Sequence, residues 1–463
     1  MTQVLHHLTP EVRGARLSDP SPKQDQDWHI NQSLGEGKPA AIIPLFMSLP
    51  PETTVDQAKQ AYSWLVARHE SLRTYFPKIE GELRQAIVDV DTALFELEHW
   101  QINTQEDFHK YEEEEWRRVI SHVEAPPLTR AAIVKNDHKL TLVFFIHHIV
   151  ADVWSLKVIK LEFLSYLKAL RSGLEPNLPP QVQVADYFQE NKNSKLANQA
   201  KHIHYWESVL GDKQWHFRFD RLIENCLNGA VDNRLKHWSG VTQDLLYQDP
   251  EGAFYNIYMP SDLYKKLEAY CEQQEISVNS LLLGSWALFG CLVTKTESIL
   301  IRSLYSNRLS SKSHQVVGNL LSDALQLFRM DMNERILDFM IRNYSNAFMS
   351  FRKSVQDLRP LEASLQVGTR CFMMFNFVGR KMNNDASAII VPPRIIKSQQ
   401  IWSPLFCNTT EYSNTILFEC GFHHRFLNEQ VVSAMFQKFF GLLGKLVASD
   451  VQLVSDLNPD LLD

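Results

Sequence analysis

The apolar positions follow two rhythms. In LTLVFFIHHIVADVWSL, residues 140–156, an unbroken run from Leu142 to Ile146 predicts a strand buried on both faces. Beyond it Leu156, Ile159, Phe163, Tyr166, Leu167 and Leu170 recur at helical spacing, so the unit reads strand, polar turn, helix. The same rhythms predict strands at 40–49, 83–90, 128–135, 139–148, 253–259, 298–304, 320–328, 372–378, 388–395 and 415–422. They predict helices at 55–69, 107–122, 185–210, 261–274, 277–292 and 429–447. The first 38 residues are polar and lack either period, which predicts an irregular arm.

Strand and helix alternate in both halves of the 463 residues, a length of about three typical domains. The segment SGLEPNLPPQVQV, residues 172–184, has the Pro, Gly and Asn content of a linker. It divides the chain into two α/β lobes, 1–178 and 179–463, with mixed sheets and flanking helices.

Composition narrows the function classes. Hydrophobic residues at 44% and charged residues at 22% describe an ordinary globular chain. A net charge of −7 argues against nucleic acid as the main partner, because phosphate binding needs a basic face. No stretch approaches the ~18 apolar residues of a membrane span, and a cytoplasmic location is expected. The six cysteines lie mostly in apolar runs without a CxxC pair, which predicts buried reduced thiols rather than a disulfide framework or a metal site.

No GxGxxG, Walker loop, HExxH or GxSxG occurs. What remains is HHxxxD at His147, His148 and Asp152. The chain shows how weak that pattern is alone, since His6-His7 precedes Glu11 and His423-His424 precedes Asn428 at the same spacing. Only the middle pair combines a fully apolar strand, an acid and a following helix. Adjacent strand residues face opposite ways, so one imidazole belongs to the core and the other can face a cleft. Asp152 has the place of a helix cap. If buried, it needs a cation, and Arg308, after the buried strand at 298–304, is the candidate, placed in the second lobe.

With these residues in hand the chain resembles a known family. HHIVADVWSL looks like the HHxxxDGWSL signature of condensation domains of nonribosomal peptide synthetases, members of the chloramphenicol-acetyltransferase-like acyltransferases. RHESLRTYF, from Arg68 to Phe76, is similar to their RHExLRTxF. Ser21, Gln24 and Trp28 keep the spacing of SxAQxRLW, with Gln26 and Asp27 in place of its Arg and apolar residue. Asp186-Tyr187 resembles part of YxDYAxWQ, and Val317-Gly318-Asn319-Leu320-Leu321-Ser322 resembles VGxFVN, with Ser322 where Asn is usual. FNF around Asn376 resembles a strand that lines the channel in this family. The echoes run in order from about residue 17 to 460.

The resemblance implies two acetyltransferase-like lobes in a V-shaped pseudo-dimer, an active-site tunnel between them, and His148 midway along it as the catalytic residue. It implies that His147, Asp152 and Arg308 organise the site, and that Val153, Trp154, Ser155, Ser322 and Asn376 line the channel or meet substrate. No cofactor is bound; a phosphopantetheine arm is supplied by a carrier protein. The chain contains no GGxS carrier signature and no adenylation signature, so it reads as freestanding, served by an acyl or peptidyl carrier protein in trans. Val153 replaces the family's Gly, which reads as a change of specificity. Trp154 before Ser155 separates the motif from the DGVSW of epimerising relatives.

The implied reaction is acyl transfer from a carrier-bound thioester to an amine, giving an amide in natural-product biosynthesis. A thioester is already activated and an amine attacks after losing one proton, so no nucleophilic Ser or Cys is needed. His148 can accept that proton or hydrogen-bond the amine. Ester formation, use of acyl-CoA, and a non-catalytic carrier-recruiting module are the alternatives.

Overall fold

The computed structural model describes residues 15–34, 41–90, 97–101, 123–136, 139–190, 192–211, 215, 217–226, 246, 248–367, 371, 374–380, 394–448 and 451–457. These residues form helices and mixed sheets, as the alternating rhythms predict. The helix predicted at 107–122, the pair His6-His7 and most of the strand predicted at 388–395 lie outside the described residues.

The chain divides into two compact units, Met1–Gln199 with Ser306–Ser322, and Ala200–Tyr305 with Asp323–Asp463. The first unit thus extends past the predicted boundary at 178, and it reclaims a segment from deep in the second half. Arg308 therefore belongs to the first unit rather than to the second, because its guanidinium is anchored there.

In the first unit, strands β1 (Ile42–Ser48), β2 (Glu98–Gln101), β3 (Thr129–Asn136) and β4 (Lys139–His147) form one sheet in the order β1-β4-β3-β2. β4 is antiparallel to both neighbours, and β2 is parallel to β3. Leu142, Phe144 and Ile146 pack on one face of β4 with Ala58, Tyr62 and Leu65 of α2 (Val55–Arg68) and Ile159 and Phe163 of α3 (Val153–Ser172). Val143 and Phe145 pack on the other face with Ala132 and Val134. Burial on both faces accounts for the apolar run, each large side chain adding roughly 1.5–3 kcal/mol.

The first residues correct one expectation. Within the stretch read as an irregular arm, Pro22–Ser33 is a helix, α1. Ser21 caps it: its side chain accepts from the Gln24 backbone N–H, and the Gln24 side chain accepts from the Ser21 N–H. α1 buries Gln24, Gln26, Trp28 and Asn31, so its inward face is largely polar and leaves no apolar period to read. The helix predicted at 185–210 is two helices, Val184–Gln189 and α4 (Lys192–Leu210).

Among the described residues the second unit's sheet has seven strands: β5 (Glu251–Tyr258), β6 (Ser298–Tyr305), β7 (Ser322–Arg329), β8 (Met374–Arg380), β9 (Arg394–Gln400), β10 (Leu405–Glu411) and β11 (Ile416–His423). Their order is β7-β6-β8-β10-β11-β5-β9. β10 escapes the sequence pattern because Asn408, Thr409 and Thr410 interrupt its apolar residues. α5 (Ser261–Gln273), α6 (Val278–Thr294), α7 (Ile336–Phe351) and α8 (Glu429–Val447) flank the sheet, and α6 is buried almost end to end among Phe339, Phe436 and Phe439. No single described helix is long and apolar enough to cross a membrane. All six cysteines are buried free thiols.

Candidate active site

β4 ends at His147, and the chain turns through His148 to Ala151 before α3 begins at Val153. The two imidazoles diverge at this turn. His147 is 2% exposed; its Nδ1 accepts from the Ile149 N–H at 3.0 Å, and its Nε2 lies 3.5 Å from the Asn31 side-chain amide. Burial, with a contribution from His148, pushes its pKa down to about 3, so the ring is neutral. It plugs the strand end. His148 is half-buried, held by its backbone N–H to the Ala41 carbonyl at 2.7 Å, with its Nδ1 3.2 Å from Asn319 Nδ2.

Asp152 caps α3, its Oδ1 accepting from the Ser155 N–H at 2.8 Å. It is fully buried, and the predicted cation is present. One terminal nitrogen of Arg308 donates to both Asp152 oxygens at 2.8 Å. The other donates to the carbonyls of Ser313 and Val316 at 2.6 and 2.7 Å, and Asp152 Oδ2 also accepts from the Leu320 N–H at 3.2 Å. A buried pair with this many hydrogen bonds fixes geometry and leaves no open face for chemistry. Asp152 and Arg308 pin residues 306–322 against the start of α3.

Of the expected channel residues, Ser155 joins this clasp, and Ser322 and Asn376 lie on strands. Ser155 is fully buried: its Oγ lies within hydrogen-bonding range of Asp152 Oδ1 at 2.8 Å and the Gly318 carbonyl at 3.0 Å, and accepts from the Gly318 N–H at 3.0 Å. Ser322 is 1% exposed at the start of β7. Asn376, in the second unit, uses its Oδ1 to accept from the Leu304 N–H at 2.7 Å and its Nδ2 to donate to Asn408 at 3.0 Å, stitching β6, β8 and β10. Trp154 is partly exposed, donates from Nε1 to the His314 carbonyl at 3.0 Å and packs on that imidazole. Val153 is the exception, 55% exposed in the first turn of α3. Its helical backbone makes no demand for glycine, so the residue at this position is set by what the side chain meets.

RHESLRTYF proves to be framework. Arg68 and His69 both bond Glu162 Oε2 of α3, at 2.9 and 2.7 Å. Burial acts to raise the Glu162 pKa, but His69 and Arg68 outweigh it and hold the carboxyl below its ordinary range. Arg73 donates to the carbonyls of Val66, Ala67 and Val88, and Ser71 to that of Val317. Gly318 in the Val-Gly pair is required by close approach: a Cβ there would meet Val184 Cγ2 at 2.5 Å.

The second double histidine repeats the framework without the site. His423 Nδ1 accepts from the Arg425 N–H at 3.0 Å, as His147 does two residues ahead, and Asn428 caps α8 as Asp152 caps α3. Strand, plugging histidine and helix cap thus recur in each unit, while the buried arginine clasp is described only in the first. Asp27 and Asn319 are the polar groups near His148 that spacing did not single out. The signal was their place in imperfect echoes of two family signatures. Among the described residues no cluster of His, Cys, Asp or Glu could hold a metal ion.

Comparison with known proteins agrees with this geometry. The Condensation domain family model matches residues 20–336. Enniatin synthase of Fusarium equiseti is 23% identical over 378 residues, covering 80% of this chain and 11% of the relative. Bacitracin synthase 1 of Bacillus licheniformis is 24% identical over 379 residues, 81% of this chain and 6% of the relative. The chain therefore spans only a small part of these synthases. The condensation domain from the Monacolin K polyketide synthase MokA superposes with a TM-score of 0.75 at 11% identity, covering 96% of this chain and 100% of that one. The first condensation domain of the calcium-dependent antibiotic synthetase superposes with 0.71 at 13%, covering 96% and 99%. With the fold shared along its length and the family model matched across more than half of its residues, this chain belongs to the Condensation domain family.

Proposed function

We propose that this chain transfers an acyl group from a carrier-protein phosphopantetheine thioester to an amine, forming an amide. The observation that carries the reading is His148: a half-buried imidazole at the end of a buried strand, beside a buried, hydrogen-bonded Asp152–Arg308 pair, in a chain of the Condensation domain family.

The amine nitrogen bonds to the thioester carbonyl carbon and the carbon–sulfur bond breaks. The thiolate leaves, and the proton released by the amine restores the thiol. Because the donor is activated, placement of the two reactants and hydrogen bonding at the reacting atoms supply most of the acceleration. His148 is the side chain offered for that bonding. His147 is neutral, and Asp152 spends its lone pairs on Arg308, Ser155 and Leu320.

The test is mass spectrometry of carrier proteins after mixing acyl-loaded carriers with candidate amines, alcohols and this protein. Acyl groups leaving the carrier as amides only in the presence of active protein support the reading. Transfer from acyl-CoA, transfer to alcohols alone, or carrier binding without turnover would each replace it.

A further inference from the structure

Two departures from the family's signatures, and the residue at one unspecified position, form a chain that ends at His148. Lys23 and Asp27 stand where SxAQxRLW has Ala and an apolar residue, and Asn319 occupies the unspecified place in VGxFVN. In the structure Lys23 Nζ pairs with Asp27 Oδ1, Asp27 Oδ2 accepts from Asn319 Nδ2 at 2.8 Å, and the same Nδ2 lies 3.2 Å from His148 Nδ1. Asn319 is 1% exposed, and the Lys23 and Asp27 side chains 12% each.

The amide orientation is over-determined. Asn319 Oδ1 accepts from the Leu321 N–H at 3.2 Å, while the opposite end faces the Asp27 carboxylate, which can only accept. Turning the amide over would set oxygen against carboxylate and NH₂ against N–H. The NH₂ group has two hydrogens, one for Asp27 and one for His148 Nδ1. A nitrogen that accepts carries no proton, so the proton of the neutral ring sits on Nε2.

We propose that Asp27 and Asn319 are positioning residues that lock His148 with its proton on Nε2, so that the ring meets substrate as a hydrogen-bond donor rather than as a base. This rests on the reading of His148 as the working imidazole. The Nε2–H then bonds the thioester carbonyl oxygen as negative charge develops there, and the proton from the amine goes to the departing thiolate, leaving the ring unchanged.

The test is nuclear magnetic resonance on protein labelled with ¹⁵N-histidine, with the His148 signals assigned by their loss in His148→Gln. The expected wild-type spectrum shows a protonated Nε2 and an unprotonated Nδ1; a proton on Nδ1 overturns the proposal. Exchanging the pair, Asp27→Asn with Asn319→Asp, turns a carboxylate toward Nδ1 and is expected to move the proton there. A folded double variant with an unchanged tautomer also overturns it. If that variant does not fold, Asn319→Ala is expected to give the averaged signals of two exchanging tautomers, and a single unchanged tautomer counts against the lock. In acyl transfer Asn319→Ala is expected to lower kcat roughly 10-fold with little change in KM; a rise in KM alone speaks against the role. The spectrum reads the resting protein and needs no substrate, so its result and that of the transfer assay fail independently.

Discussion

Arg308 places one guanidinium nitrogen 2.8 Å from each oxygen of Asp152, 156 residues away in sequence, with both side chains almost wholly buried. Removing the acid leaves a buried cation. Asp152→Ala is expected to lower stability by about 3–5 kcal/mol in urea denaturation, with activity falling in parallel. Replacing both partners by apolar residues is expected to cost less stability than Asp152→Ala alone. An unchanged melting temperature in Asp152→Ala would remove the pair from its structural role.

That pair was legible because an acid forecast at a buried helix start demands a cation, and Arg308 follows a buried strand. The strand, turn and helix were legible from period alone. α1 was not, because its buried face carries Gln24, Gln26 and Asn31, and β10 was not, because Asn and Thr interrupt it. The link between Asp27 and Asn319 spans 292 residues, and neither position advertises its partner. Ser155 illustrates a subtler limit. The motif placed it correctly at the turn, but only packing shows that it faces Asp152 and Gly318.

His147 gives stability a pH dependence. Its folded pKa of about 3 lies below the unfolded value near 6.5, so the unfolded chain takes up a proton first as pH falls. The contribution is fully present above about pH 6.5 and is lost progressively between there and about pH 3. Between pH 7.5 and 5.5 the loss amounts to about 1.4 kcal/mol. His147→Asn is expected to flatten the measured stability profile by that amount; an equal slope in both proteins would contradict a buried neutral ring.

Glu162 joins Arg68 and His69. Glu162→Ala leaves a buried imidazole and a guanidinium without their acceptor, and a loss of about 1–3 kcal/mol is expected by chemical denaturation. Full stability in that variant would mean the signature at 68–76 is held by other contacts.

Val153 has an exposed side chain in a helical first turn. Val153→Gly is expected to cost at most about 1 kcal/mol of stability while shifting relative kcat/KM among acceptors by about 10–200-fold. An unchanged acceptor profile would show that the side chain does not meet substrate.

The most direct measurement is acyl transfer from loaded carrier to amine by wild type and His148→Ala, with melting temperatures recorded for both. Because His148 is half-buried and held through its backbone, its side chain can be removed with the fold intact. The predicted result is a loss of about 10²–10³-fold in rate at a nearly unchanged melting temperature. Full transfer by a folded His148→Ala protein would contradict the account.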